Sequence, residues 1–189
     1  LDSIKHVSSH MSSVREVLPG RPYFLPHTQE KLDPFTVTEE EFLNTVCKKP
    51  CNISKGIYST LTGLSPLIAE EICYRASIDG NDPAQSLSET AAIHLYHTFR
   101  RIIEQVQEGD FTPNIIYRNE EPVEYAVLPL TQFGSEYHSV TFESVSSMLE
   151  TYYASRDTLN RIRQKSSDLR RIVQTALERN RKKYALQQK

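Results

Sequence analysis

The C-terminal stretch from residue 141 to residue 189 contains neither glycine nor proline. Nothing in it breaks a helix, and its apolar residues follow the alternating three-and-four spacing of a heptad repeat. A helix of this length reaches roughly 70 Å, far beyond the diameter of a small domain. The heptad core positions are Leu159, Ser166, Val173 and Asn180, together with Ile162, Leu169, Ala176 and Lys183. We therefore expect the first helix of a coiled-coil arm, with its partner helix outside this sequence.

The net charge of −2 conceals a strong asymmetry between the arm and the rest of the chain. Residues 156–189 contain 11 Lys and Arg against 3 Asp and Glu, a net charge of +8. Residues 1–155 have a net charge of −10. An acidic body with a basic arm predicts a polyanionic partner, such as RNA or an acidic protein surface. A solvated coiled-coil face with spare positive charge is the alternative explanation.

Residues 53–76 have the pattern of a helix, a tight turn and a second helix. Gly63 permits a positive φ, Ser65 is a good N-cap, and Pro66 suits the first helical position. In such a helix-hairpin-helix, the turn amides and the N-terminus of the second helix point the same way, which favours a bound phosphate. The motif usually has a second glycine where Ser65 stands. An ordinary αα-hairpin with good caps explains the same residues equally well.

Further helices are predicted on both sides of this motif. The apolar residues from Leu1 to Leu18 have helical spacing, and two prolines within residues 21–26 favour an extended strap. Capping boxes at Thr38–Glu41 and Ser86–Glu89 predict the starts of two helices, and Gly109 is expected to close the second.

A change of pattern after Pro113 predicts a β-hairpin. Residues 114–118 and 123–130 are rich in β-branched and aromatic side chains, and a turn at 119–122 separates them. An isolated hairpin is marginally stable in water, so we expect it to dock on the helical body or to pair with strands that lie outside this sequence. Residues 130–139 are predicted to be an irregular link, and the arm helix to begin near Thr141.

These patterns predict a mainly α fold, with a helix-hairpin-helix domain, a small β-hairpin and a long C-terminal coiled-coil helix. The predicted units are an N-terminal helix and extended strap (1–35), the helix-hairpin-helix domain (36–110), the β-hairpin and a link back to the preceding domain (111–138), and the first helix of a coiled-coil arm (139–189).

No constellation typical of an enzyme is recognisable, so we expect a non-catalytic protein without a metal or another cofactor. Three cysteines without a CxxC motif favour reduced thiols. Cys47 and Cys51 are spaced to share a metal on a helical face, but partly buried thiols explain them better because four ligands are not identifiable. No apolar run is long enough to span a membrane, and no secretion signal is visible. The start at Leu1 suggests a fragment of a longer protein.

The candidate nucleic-acid-binding residues lie at the helix-hairpin-helix and on the basic arm. Amides of the turn would contact a phosphate, with nearby cations adding charge, and arm cations would add further phosphate contacts. The candidates are Lys55, Thr62, Gly63, Leu64, Ser65, Arg75, Arg161, Arg163, Lys165, Arg170 and Arg171.

Several segments together resemble the bacterial NFACT family. These are His6–Met11, Val14–Tyr23, Ser54–Glu71, and the arm from Phe142 to Tyr153 and from Leu159 to Tyr184. The family includes ribosome quality-control factors of the RqcH type and the FbpA and PavA proteins that bind fibronectin or fibrinogen. The resemblance covers nearly the whole chain.

The resemblance implies a fragment that spans the helix-hairpin-helix region and the start of the coiled coil. RqcH-like proteins bind large ribosomal subunits that carry stalled nascent chains, recruit tRNA and support alanine tailing. The implied partners are therefore the large ribosomal subunit, tRNA and rRNA, in the cytoplasm. The alternative is an anchorless surface adhesin that binds fibronectin or fibrinogen. The family's Asp-Arg pair for tRNA handling has no match here, so we expect the fragment to lack that activity.

Overall fold

A computed structural model describes residues 6–11, 16–20 and 31–187. Five α-helices, one short 3-10 helix and three strands follow one another in these residues. Their bounds are α1 Glu39–Thr45, α2 Ile53–Thr60, α3 Pro66–Arg75, the 3-10 helix Ala84–Ser86, α4 Glu89–Glu108, β1 Asn114–Arg118, β2 Glu121–Ala126, β3 His138–Thr141 and α5 Val145–Gln187. The prediction of a mainly α fold with a small β element and a long C-terminal helix is confirmed. The division into four units stays a prediction.

The predicted N-terminal helix is wrong where the structure describes it. Val7 and Val17 form an antiparallel bridge, in which each amide donates to the other carbonyl at 2.9 and 2.8 Å. Residues ten apart in a helix lie far from each other along its axis, so this pairing excludes a helix through both. The bridge satisfies the backbone groups of Val7 and Val17 by pairing two segments, and apolar spacing along the sequence does not reveal such a pairing. The predicted strap at 21–26 lies outside the described residues.

The predicted caps set most helix boundaries of the body. Thr38 and Glu41 form the expected capping box at the start of α1. Gly109 ends α4 with a φ of 71°, as a left-handed C-cap should. The capping box at Ser86 and Glu89 is wrong, because Ser86 ends the 3-10 helix and Ser88 caps α4 by accepting from the amide of Ala91.

The core of the body joins α1, α2, α3 and α4. Phe42 of α1 stacks on Phe99 of α4 with ring centroids 5.2 Å apart. Ile57 of α2 and Ile72 of α3 are fully buried in the same cluster. Gly56 lets α2 approach α1 closely, since an added Cβ would lie 3.0 Å from the carbonyl oxygen of Val46. These contacts hold the helix-hairpin-helix rigidly against the rest of the body.

The sheet has three antiparallel strands in the order β2-β1-β3, one more than predicted. β3 pairs with β1 from Asn114 opposite Thr141 to Tyr117 opposite His138. All four residues of β3 are exposed, so the strand lacks the apolar alternation by which a sequence reveals a strand. The link at 130–139 is therefore shorter than predicted, and α5 begins at Val145 rather than near Thr141.

The sheet lies between α3 and α5 because neighbouring residues of β1 face opposite sides. Ile115 packs with Met148 and Tyr152 of α5. Ile116 packs on the other face with Leu67 and Ile68, at the start of α3. The predicted docking of the hairpin on the helical body is confirmed by these contacts.

The arm helix leaves the body after its first turns. Met148 and Tyr152 are buried against the sheet, whereas every position from 160 to 184 is exposed. Among the described residues no other helix lies against this stretch. Three apolar side chains of the predicted heptad, Ile162, Leu169 and Val173, are about 60% exposed. Pairing of the arm with a second helix stays a prediction.

Candidate nucleic-acid interface

The turn between α2 and α3 is exposed and has the predicted geometry. Gly63 has a φ of 77°, and Ser65 caps α3 by accepting a hydrogen bond from the amide of Ile68 at 3.3 Å. Leu61, which ends α2, is fully buried and anchors the turn in the core. The turn therefore projects from a fixed base, with the N-terminus of α3 at the surface.

Three amides of the turn are available to a ligand. The amides of Gly63, Leu64 and Ser65 have no acceptor among the residues that the structure describes. The amide of Thr62 differs, because it donates to the carbonyl of Leu32 at 2.9 Å. Of the four predicted turn residues, three thus present free N–H groups beside the positive end of α3, which is the arrangement that binds a phosphate oxygen.

Two lysines that were absent from the sequence prediction lie close to the turn. The ammonium of Lys31 donates to the carbonyl of Tyr58 at 2.9 Å. That of Lys49 donates to the hydroxyls of Ser59 at 2.9 Å and Thr60 at 3.1 Å. Both charges lie at the C-terminal end of α2, where they offset the negative end of the helix dipole and make the potential beside the turn more positive. Sequence spacing did not indicate them, since both lie outside the helix-hairpin-helix segment 53–76.

The two cations predicted to assist the turn lie elsewhere. Lys55 is exposed in the first turn of α2, at the end of that helix opposite to Gly63. Arg75 ends α3 and donates from Nε to Glu71 Oε1 at 2.6 Å and from Nη2 to the carbonyl of Pro129. Because its guanidinium is occupied by these partners, Arg75 links α3 to the segment after the sheet and is not free to bind a phosphate at the turn.

The arm presents the remaining predicted cations to solvent. Arg161, Lys165 and Arg170 are exposed and have no ion pair within the described part of the chain. Arg171 lies 3.6 Å from Asp168 on the same helix, in an exposed pair. Pairs of this kind contribute about 0–1 kcal/mol, so they do not prevent a cation from binding another anion.

Arg163 is the arm cation that returns to the body. Its Nη2 lies 2.8 Å from Glu121 Oε2, at the start of β2, with both side chains at least half exposed. The structure does not join the arm to the turn in one site, because the sheet separates α5 from α3. Two surfaces that suit polyanions are present instead, one at Gly63–Ser65 and one along the arm.

Cys47 and Cys73 are buried free thiols, and Cys51 is partly buried. Among the described residues no cluster of three metal-ligating side chains is present. Burial raises the pKa of Cys47 to about 11 and the pKa of Cys73 to about 12. Both groups are therefore neutral thiols at physiological pH. No described helix is both long and apolar enough to cross a membrane.

The fold and these surfaces define a class of protein, a helix-hairpin-helix module that carries a long basic helix. The chain belongs to the NFACT family, since the family model for the NFACT N-terminal and middle domains matches residues 1–189. The resemblance seen in the sequence is confirmed by this match.

The chain is similar to proteins named Rqc2 homolog RqcH. It is 30% identical over 180 residues to the one from Bacillus subtilis (strain 168), which covers 95% of this chain. It is 28% identical over 188 residues to that of Streptococcus suis (strain 05ZYH33). The chain spans 29% of the length of each of these relatives.

The structure also resembles a solved one. The crystal structure of the fibrinogen binding protein from Staphylococcus aureus superposes with a TM-score of 0.60 at 25% identity. The superposition covers 79% of this chain and 49% of the other.

Proposed function

We propose that this chain is a non-catalytic RNA-binding and ribosome-binding part of a ribosome quality-control factor of the RqcH type. In this role it acts in the cytoplasm, where it binds large ribosomal subunits with stalled nascent chains, contacts tRNA and rRNA, and supports alanine tailing by the whole protein. The similarity to proteins named Rqc2 homolog RqcH supports this proposal.

The observation that carries the proposal is the exposed basic arm on an otherwise acidic chain. Every side chain from 160 to 184 faces solvent, and Arg161, Lys165 and Arg170 have no carboxylate partner among the described residues. Cations free of internal partners release counterions from a phosphate backbone when they bind it, and this release favours association. The free amides of Gly63, Leu64 and Ser65 add a second phosphate contact on the other side of the sheet.

The proposal is tested by fluorescence anisotropy with a labelled fragment of large-subunit rRNA at several salt concentrations. For the chain itself we expect an affinity that falls steeply as salt rises. The reversal R161E/K165E/R170E should weaken binding by at least about 10-fold, since repulsion replaces attraction at three positions. The matched control R161K/K165R/R170K keeps the charges and should bind like the parent. Equal binding by both triple variants would refute a role for the arm.

A second candidate function is adhesion to fibrinogen or fibronectin at the cell surface. The superposition on the fibrinogen binding protein from Staphylococcus aureus favours it. Surface plasmon resonance with immobilised human fibrinogen or fibronectin tests it directly, and the two triple variants separate specific adhesion from general charge attraction. Saturable binding that neither variant changes would support adhesion through another surface.

A further inference from the structure

Three arginines converge on a cleft at the root of the arm, two of them outside the predicted sites. Arg118 ends β1, and Arg156 and Arg163 lie seven residues apart on α5. Together with Tyr137 and Leu159, they line a cleft of about 480 Å³ between the hairpin turn and the arm. We call this feature the arginine cleft. Its volume lies within the range of small-ligand sites in proteins.

Two of the three arginines form exposed ion pairs with glutamates. Arg118 pairs with Glu136 at 2.9 Å, and both side chains are at least half exposed. Arg163 pairs with Glu121 at 2.8 Å in a similarly exposed setting. Exposed pairs of this kind add little stability, so an incoming anion can replace either carboxylate.

Arg156 has no carboxylate partner among the described residues. Its guanidinium carbon lies 5.6 Å from the ring centre of Tyr152, and Nη1 donates to the hydroxyl of that residue at 3.3 Å. Tyr152 is buried and donates in turn to the carbonyl of Val123. The ring and hydroxyl of Tyr152 therefore orient the Arg156 guanidinium, which has no carboxylate within ion-pair distance in the described part of the chain.

The cleft contains an aromatic side chain as well as positive charge. Arg118 lies 5.5 Å from the ring centre of Tyr137, which packs on Phe133. An aromatic ring beside guanidinium groups is the combination that binds single-stranded RNA, through base stacking and phosphate contacts. Of the three arginines, two are ion-paired with a glutamate, Arg118 with Glu136 and Arg163 with Glu121, and Arg156 is not, as far as the described residues show.

The cleft also continues the basic surface of the arm. Arg156, Arg163 and Arg170 follow one another at heptad spacing, so they share one side of α5. A strand that enters at the cleft can therefore follow the arm outward without crossing the helix. This alignment favours a phosphodiester backbone over an isolated anion.

We propose that the arginine cleft is a phosphate-binding site that takes a nucleotide of a single RNA strand, with the phosphate between Arg118, Arg156 and Arg163 and a base beside Tyr137. This inference rests on the RNA-binding function proposed above, and it assigns one of the RNA contacts to the arginine cleft. The shared ligand chemistry is a phosphate ester next to a base, and its two sources are an RNA strand and a free nucleotide.

The test uses the 189-residue chain with three probes: a single-stranded RNA 10-mer, AMP and inorganic phosphate. The variant R118Q/R156Q should bind the RNA about fivefold more weakly, and its salt slope should be flatter by about 0.7 for each phosphate that an arginine no longer neutralises. The control R101Q removes an exposed arginine of α4 that lies outside the cleft. It should bind like the parent chain.

A second variant separates ligand binding from a purely structural role. Glu121→Gln frees Arg163 from its carboxylate, so the RNA should bind about twofold to threefold more tightly. If the pair served only to tie the hairpin to the arm, this change would leave binding unaltered or weaken it. Circular dichroism of every variant checks that the fold is retained.

The outcomes distinguish this site from the function on which it rests. Weaker RNA binding by R118Q/R156Q, with no binding of AMP or inorganic phosphate to the parent chain, supports a strand site. Binding of AMP that the variant abolishes supports the same cleft as a nucleotide site. If R118Q/R156Q and R101Q bind RNA equally while R161E/K165E/R170E does not bind it, the cleft proposal is overturned and the proposed function stands. Failure of all these chains to bind RNA overturns both.

Discussion

Glu71 shows how one buried charge connects the body to the segment after the sheet. Its side chain is 1% exposed. Its oxygens accept from the amide and hydroxyl of Thr131 at 2.9 and 2.7 Å, from the amide of Gln132 at 3.0 Å, and from Arg75. A buried carboxylate with this many donors is stable, whereas the donors would be left without a partner if it were removed.

We expect Glu71→Ala to lower the free energy of unfolding by about 3–5 kcal/mol, because Arg75 would keep a partly buried charge without its partner. Glu71→Gln keeps one acceptor and should lose less. Urea unfolding measures both changes. The matched control is Glu70→Ala, an exposed neighbour on the same helix, which should change stability by no more than about 0.5 kcal/mol. Equal effects at positions 70 and 71 would contradict this role.

Cys73 provides a pH-dependent test at the same scale. Burial, with the nearby charges of Glu70 and Asp79, raises the pKa of its thiol from 9.0 to about 12. The folded state therefore favours the protonated thiol, and its contribution to stability is complete below pH 9 and is lost as the pH rises toward 12.

Relative to Cys73→Ala, the parent chain should lose about 2–3 kcal/mol of stability between pH 8 and pH 11. Urea unfolding of both chains across this pH range measures the difference in stability. Because tyrosine and lysine titrate in both chains, their contribution cancels in this difference. Parallel stability curves would show that the thiol ionises normally in the folded chain.

At the scale of elements, the helix-hairpin-helix depends on one backbone conformation. The φ of 77° at Gly63 reverses the chain between α2 and α3. An added Cβ at this position would meet nothing within 4 Å, so the cost of a side chain here is conformational rather than steric.

Gly63→Ala should therefore cost about 1–2 kcal/mol in thermal or urea unfolding. The control is Gly134→Ala, where an added Cβ also meets nothing within 4 Å and φ lies outside the left-handed region. We expect almost no change there. If Gly63→Ala lowered the free energy of unfolding by no more than Gly134→Ala does, the positive φ at position 63 would not be what makes glycine necessary there.

The whole molecule consists of an acidic body and a basic arm joined through the sheet. Along α5 itself the stabilising contacts and the cations occupy different parts, because Met148 and Tyr152 are buried near its start while the cations lie further along the helix. The distal part of α5, from residue 160 onward, therefore contributes charge rather than core.

Removal of residues 166–189 should leave the free energy of unfolding within about 0.5 kcal/mol of the parent, since these side chains are exposed. Met148→Ala should cost about 2–4 kcal/mol, because it leaves a cavity against Ile115. Urea unfolding compares the two chains. A large loss of stability on truncation would show that the distal arm packs on the body.

The limits of sequence reasoning differ between parts of this chain. Thr38, Ser65 and Gly109 act as predicted because a cap depends on the few residues next to it. The Val7–Val17 bridge and strand β3 were missed because their pairing partners, and not their own residues, determine them. Arg75 was predicted to bind a ligand because its internal partner, the carbonyl of Pro129, lies 54 residues away and could not be recognised from the sequence.

The sequence by itself determined the helix-hairpin-helix, the long uninterrupted helix and the separation of charge, since each depends on local spacing and composition. Only the tertiary structure decided which amides and cations remain free for a ligand. Thr62 and Arg75 are bonded internally, Lys31 and Lys49 lie beside the turn, and three arginines meet at the arginine cleft. The physical reason is that the availability of a polar group depends on its neighbours in space, which come from distant parts of the chain.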